Sequence, residues 1–236
     1  MQRYQVKLLP LPTPDYWDFP LPPCRTCLLT DDGSLKTGEL AQFLTKTGWQ
    51  VLVLTFPQSL FTSVSSLPAG VRRVVLQDLT EKHLQRQLTT IADTYGGISA
   101  FIHLHPVICQ SEKALLKYVF LLAKHLKSFL DRASLQGRSC FFTVASLDGE
   151  LGLGKTIDFS ALTGGLFGLT KTLNLEWKNV FCRAIDLSPK LTSEQAAQAI
   201  INEFHDPNAL MVEVGYSDRG RVSLICEPAP LRSAIK

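Results

Sequence analysis

Residues 139–189 read SCFFTVASLDGELGLGKTIDFSALTGGLFGLTKTLNLEWKNVFCRAIDLSP. Cys140–Ala145 is an apolar run of strand length, rich in aromatic and β-branched residues. A loop with three glycines (Gly149, Gly152, Gly154) follows. The spacing then predicts a long helix starting near Asp158 or Phe159 and ending near Trp177, and a second strand at Val180–Leu187. Ala161, Gly164, Gly165 and Gly168 give the helix a small side; Leu162, Leu166, Leu169, Leu173 and Trp177 give it a large one. Each helical glycine costs about 1 kcal/mol relative to alanine, a cost that makes sense where another element packs closely against it.

Outward from this stretch the same alternation repeats. On the N-terminal side it predicts a strand at 24–30 and a helix at 35–48. A buried strand at 49–57, a strand at 71–77 and an amphipathic helix at 80–95 with Leu84, Leu88 and Ile91 on one face come next. A strand at 99–105 and a long helix at 111–135 complete that side. On the C-terminal side the capping box Thr192-x-x-Gln195 opens a last helix running to about Phe204. Two strands around the turn Ser217–Gly220 close the chain. Residues 3–9 alternate polar and apolar like a strand, and LPTPDYWDFPLPP after them is too proline-dense for helix. The reading is an α/β, doubly wound parallel sheet with a small antiparallel add-on from the terminal strands. Its parts are a strand and proline-rich extended segment at 1–23, the main domain at 24–209, and a strand pair with linker at 210–236.

With 236 residues the chain is long enough for a sizeable core. Only 19% of residues are charged, which fits either a large core or a surface partly covered by a partner. The net charge of +3 is spread without a basic block, so nothing points to nucleic acid. No apolar run is long enough to span a bilayer, and MQRYQVKLLPLP lacks a signal-peptide pattern, so the expectation is a cytoplasmic protein. Cys27, Cys140, Cys182 and Cys226 lie in strand-like runs as small hydrophobes, and the Cys24-x-x-Cys27 pair enters a strand where a redox pair would start a helix. No second pair completes a zinc site, and no metal is expected.

In a dinucleotide-binding fold the first strand-to-helix turn needs glycines, because phosphate must approach backbone N–H groups closely. Against the short-chain dehydrogenase pattern T-G-x-x-x-G-x-G, the three glycine positions after Thr30 hold Asp31, Leu35 and Thr37. Asp31 and Asp32 put two negative charges at the expected pyrophosphate position, and Lys36 offsets only one. Such sites also use a Ser, a Tyr and a Lys: ketone reduction needs a phenol to supply a proton and an ammonium to lower its pKa. Here Ser146 is present, but Phe159 stands at the Tyr position and Thr163 at the Lys position. Neither can do that chemistry, and Ser146 reads as a remnant. No cofactor-binding and no catalytic residue is therefore expected.

Taken together, CLLTDDGSLKTGELAQFLTKTGWQVLVLTFP, AFIHLHP, GGLFGLTKTLNLEWKNVFCRAIDLSP and EVGYSDRGR resemble the structural, non-catalytic subdomain of polyketide-synthase-type ketoreductases. The resemblance is closest to the multienzymes that make polyunsaturated fatty acids. It implies a degenerate, Rossmann-like dehydrogenase half. A catalytic half downstream would use NADPH to reduce β-ketoacyl groups on an acyl carrier domain. The implied partners are that half and the acyl carrier and ketosynthase domains of the same multienzyme, with this chain one piece of a longer polypeptide. Two alternatives stay open. One is a relocated small-molecule site drawing on Ser146, His103, His105 and Tyr118. The other is an acyl-carrier docking module using Lys113, Lys117, Lys124 and Lys127.

Overall fold

A computed structural model describes residues 3–60, 63–154 and 159–229. The elements in order are β1 (Arg3–Leu11), β2 (Thr26–Thr30), α1 (Leu35–Lys46), β3 (Gln50–Thr55), β4 (Arg72–Val75), α2 (Glu81–Tyr95) and β5 (Ala100–Leu104). They continue with α3 (Glu112–Ser134), β6 (Cys140–Ala145), α4 (Gly164–Glu176), β7 (Phe181–Leu187), α5 (Ser193–His205), β8 (Glu213–Ser217) and β9 (Gly220–Ala229). The strands form one sheet in the order β1-β9-β8-β7-β6-β5-β2-β3-β4. From β4 to β8 all neighbours are parallel, while β9 and β1 are antiparallel. The chain winds outward from β2 to β4, then restarts at β5 on the other side of β2. That reversal places a crevice beyond the C-terminal ends of β2 and β5.

The central strands are apolar throughout because both faces are covered. Along β2, Leu28 points into one core while Cys27 and Leu29 point into the other. The first core lies under α2, α3 and α4, and the second under α1 and α5. Each fully buried Leu contributes roughly 1.5–3 kcal/mol, which is why the sheet tolerates so few polar residues. The helix starts follow local chemistry. Thr80 caps α2 by accepting from the His83 N–H, and Thr192 and Gln195 form the expected capping box of α5. Among the described residues no helix is long and apolar enough to cross a membrane.

Three details differ from the sequence expectation. Strand β8 extends the parallel run, so only β9 and β1 form the antiparallel part. Cys226 is exposed, because the far end of β9 pairs only with β1 and no helix covers it. Helix α4 begins at Gly164, later than expected: Asp158 lies outside the described residues, and Phe159 precedes the helix. The Phe159 ring packs on the core and the Ser160 hydroxyl donates to Glu112 at the start of α3. Those contacts hold residues 159–160 away from the helix axis. Thr163 makes no capping bond and two glycines follow it, so nothing draws the helix further back.

The proline-rich strap crosses the sheet near the start of β6 and β7. The Trp17 N–H donates to the His205 carbonyl (2.9 Å), and the Arg138 N–H donates to the Pro20 carbonyl (3.4 Å). Beneath it lies a buried ion cluster. Glu203 pairs with Arg221 Nε at 2.6 Å and lies 3.1 Å from Arg183 Nε. Asp206 pairs with Arg221 at 2.6 Å and Arg183 at 3.0 Å. Tyr216 donates to Glu203 (2.6 Å), and Arg221 donates to the Pro12 carbonyl of the strap (3.3 Å). Two cations thus face two anions, joining α5, β7, β9 and the strap. Removing one member strands a buried charge, at a cost of about 3–5 kcal/mol. Glu203→Ala is expected to lower unfolding free energy in urea by that amount. Lys7→Ala, which breaks the exposed 2.6 Å pair with Glu227, should change it by under about 1 kcal/mol. Equal effects would contradict the assignment of the cluster as a structural centre.

Candidate functional site

The crevice beyond β2 and β5 is where a doubly wound sheet takes a ligand. The turn after β2 begins with Asp31, whose N–H donates to the Leu54 carbonyl (2.8 Å). Its carboxylate is fully buried and turned toward β4, where Arg73 forms an ion pair with it. Arg73 also donates to Thr55 Oγ1 (2.6 Å) and to the Ser65 carbonyl, while the Ser65 N–H and hydroxyl both donate to Asp31. The Asp32 carboxylate accepts from Thr37 Oγ1 (2.7 Å) and Ser34 Oγ (2.8 Å) and pairs with Lys36 (3.1 Å). Burial by itself would raise the Asp32 carboxyl, but Lys36 and those hydroxyls outweigh it and hold it below the usual carboxylate range.

These contacts revise the charge argument. Neither Asp31 nor Asp32 presents a free negative charge to the crevice, because each is neutralised by its own cation. Of the three glycine positions, Leu35 is 69% exposed, Thr37 is buried and bonds Asp32, and Asp31 bonds the covering loop at Ser65. What stands over the turn is that loop. A Cβ on Gly33, which has φ +75°, would lie 2.5 Å from Ser63 Cβ. One on Gly38 would lie 2.6 Å from the Ser66 carbonyl oxygen. The glycines that remain in this turn make room for the chain's own residues 63–66.

The open part of the crevice is about 290 Å³, at the small end for a ligand pocket. Lys36, Ser63, Ile108, Ser146 and Ser188 are among its lining residues. Ser146 follows β6 and reaches it, whereas Phe159 sits on the core and Thr163 is buried at the start of α4. His103, His105 and Tyr118 do not join Ser146 there. His103 is buried between Thr30 Oγ1 (2.9 Å) and His105 (3.4 Å). Burial holds both imidazoles neutral: His103 well below its ordinary range and His105 at about 4. Tyr118 lies in the core edge-on to Phe56, its hydroxyl without a hydrogen-bond partner among the described residues, and burial pushes its phenol up. Among the described residues no group of three His, Cys, Asp or Glu side chains is placed to hold a metal.

Sequence reading missed two organisers. Arg73 stands in the otherwise ordinary strand RRVV, and only the fold places it on Asp31. Asp186 stands in a fully buried strand, and that mismatch is the signal it offered. Its carboxylate accepts from the N–H groups of Leu147 (2.7 Å) and Leu151 (2.8 Å), shaping the loop after Ser146. Burial raises the Asp186 carboxyl to about 6; the N–H groups oppose that rise, and nearby Asp148 adds to it.

Between the ordinary value of 3.8 and about 6, folded Asp186 keeps a proton that the unfolded chain has released. Stability therefore falls as pH rises through that window, by up to about 3 kcal/mol. Asp186→Asn is expected to remove this fall, narrowing the difference between melting temperatures measured at about pH 4 and about pH 7. An unchanged difference would contradict the assignment.

No family model matches the chain. It is 31% identical over 216 residues to a polyunsaturated fatty acid synthase subunit of Thraustochytrium sp. (strain ATCC 26185 / S-3). That match takes in 89% of the chain, which spans 8% of the relative's length. Among solved structures, the adenylation, ketoreductase and pseudo-Asub multidomain structure of a keto acid-selecting NRPS module superposes with a TM-score of 0.67 at 18% identity. The superposition covers 96% of this chain and 18% of that one. An A-type ketoreductase from a modular polyketide synthase superposes with a TM-score of 0.62 at 14% identity, covering 99% of this chain and 44% of that one. The chain thus resembles a segment of a polyunsaturated fatty acid synthase in sequence, and it has the Rossmann-like fold of ketoreductases and short-chain dehydrogenases.

Proposed function

We propose that the chain is the non-catalytic structural half of a ketoreductase in a cytoplasmic multienzyme of the polyunsaturated fatty acid synthase type. In this reading it holds and positions a catalytic half that uses NADPH to reduce β-ketoacyl groups on an acyl carrier domain. The observation that carries the proposal is residues 63–66 lying over the turn, tied down by Asp31 and Arg73. A dinucleotide needs that backbone bare. Phe159 at the proton-donor position argues the same way, since it has no proton to give. The coverage of 44% of a polyketide ketoreductase by 99% of this chain fits one half of such a unit.

The surface offered to the catalytic half is the outer side of α4 with its neighbour α3. Gly165 faces inward, where a Cβ would meet Leu116 at 2.9 Å, but Gly164 and Gly168 open onto free space. Leu175 on α4, Phe120 on α3 and Leu162 just before α4 are exposed at 80%, 54% and 48%, apolar side chains that a close partner would cover. The carrier-docking alternative has weaker support, because Lys124 is already engaged with Glu81 at 2.7 Å.

The isolated chain is expected to show no saturable thermal shift with NADPH or NADP⁺ and no NADPH oxidation with a β-ketoacyl thioester. A saturable shift or measurable turnover would overturn the proposal.

A further inference from the structure

The proline-rich strap, residues 12–23, keeps most of its surface in water: Phe19 and Pro22 are buried, and the rest are exposed or half-buried. It is clamped on His205, the last residue of α5. The Trp17 N–H donates to the His205 carbonyl (2.9 Å), and the His205 ring returns the bond, its Nδ1 lying 3.1 Å from the Trp17 carbonyl oxygen. A carbonyl can only accept, so Nδ1 carries the proton and Nε2 is the bare nitrogen. Tyr16 stacks on the ring with centroids 4.4 Å apart, and Phe19 tilts against it at 4.9 Å. His205 is 5% exposed, and its Nε2 is buried with no hydrogen-bond partner among the described residues.

A second proton on that ring would sit on Nε2, where no described group accepts a hydrogen bond from it. The charges around the ring are divided. Asp18 of the strap favours an imidazolium and Arg138 before β6 opposes it, while Glu203 and Asp206 at the end of α5 are committed to Arg183 and Arg221. Burial outweighs the Trp17 carbonyl and holds the clamped imidazole below its ordinary value of 6.5. With the strap lifted the ring meets water and titrates normally, so the lifted form takes up a proton first and falling pH favours it. Lifting the strap leaves every ion pair of the cluster in place, because the strap gives that cluster only the Pro12 carbonyl. Of its side chains only Phe19 belongs to the buried apolar core, with Leu21 packed at the edge. We propose that residues 12–23 are a proton-operated latch: neutral His205 clamps the strap to the end of α5, and protonation at Nε2 releases it while the sheet stays folded. The latch sits at the other end of α5 from the crevice and does not depend on the ketoreductase reading.

The chain has three tryptophans, and fluorotryptophan labelling gives each its own fluorine NMR signal. As the whole chain is taken from about pH 7.5 to about pH 5, Trp17 is expected to move toward its position in the urea-unfolded chain, with most of the change below 6.5. Trp49, buried in the core, should keep its folded position throughout. His205→Asn keeps a neutral donor for the Trp17 carbonyl and has no proton to gain, so its Trp17 signal should hold still over the same range. Tyr16→Ala removes the stacked ring from the exposed side and should move release to higher pH by about 0.5–1 unit; it tests the latch even where His205→Asn does not fold. The latch is refuted by any of four results: Trp17 keeping its folded position to the end of the titration, Trp17 and Trp49 unfolding together, an undiminished transition in folded His205→Asn, or an unchanged midpoint in Tyr16→Ala.

Discussion

A carboxylate with no access to water must be paired, and Asp31 is paired from three directions. Arg73 reaches it from β4, while Thr55 from β3 and Ser65 from the following loop donate to it. A glycine at this position would leave Arg73 without its counter-charge and Ser65 without its anchor. Residues 63–66 would then lose what holds them over Gly33 and Gly38. The residue that departs most visibly from the cofactor pattern is therefore also the one that fastens residues 63–66 over the turn. On the proposed reading, the loss of dinucleotide geometry and the placing of the loop are two consequences of a single buried ion pair.

The opposite edge of the sheet is built on the same physics at larger scale. Arg183 is fully buried in a central strand, which is tolerable only because Glu203 and Asp206 meet it from the end of α5. Arg221 from β9 completes the balance and reaches the strap through the Pro12 carbonyl. Charge pairing ties the strap, the last helix and the antiparallel strands to the parallel sheet. Arg138 is the cation left over. It takes part in none of these ion pairs, lies against the Phe181 and Trp17 rings and donates to the Asp206 carbonyl.

Where the sequence was legible, one local rule decided the outcome. The apolar runs of β2, β3, β5, β6 and β7 could only be strands covered on both faces, and Thr192 with Gln195 marked the start of α5. The Asp31, Phe159 and Thr163 replacements were visible because a pattern assigns those positions a chemistry. Long-range pairing was not legible. Asp31 and Asp32 read as repulsive because nothing local shows Arg73 arriving from 42 residues away. The late start of α4 depends on Ser160 meeting Glu112 across 48 residues, and no helical periodicity encodes that. The partnering of β8 with β7 follows from sheet order, which composition does not express.

The central claim is that this chain acts by holding another half and does no chemistry itself. The most direct measurement is the reductase activity and melting temperature of the proposed catalytic half, expressed alone and together with this chain. The account predicts a stable co-purifying pair whose NADPH-dependent turnover exceeds that of the catalytic half alone, all of it lost when the catalytic tyrosine of that half is replaced. Full activity and unchanged melting of the catalytic half alone would contradict it, as would turnover that survives the tyrosine replacement.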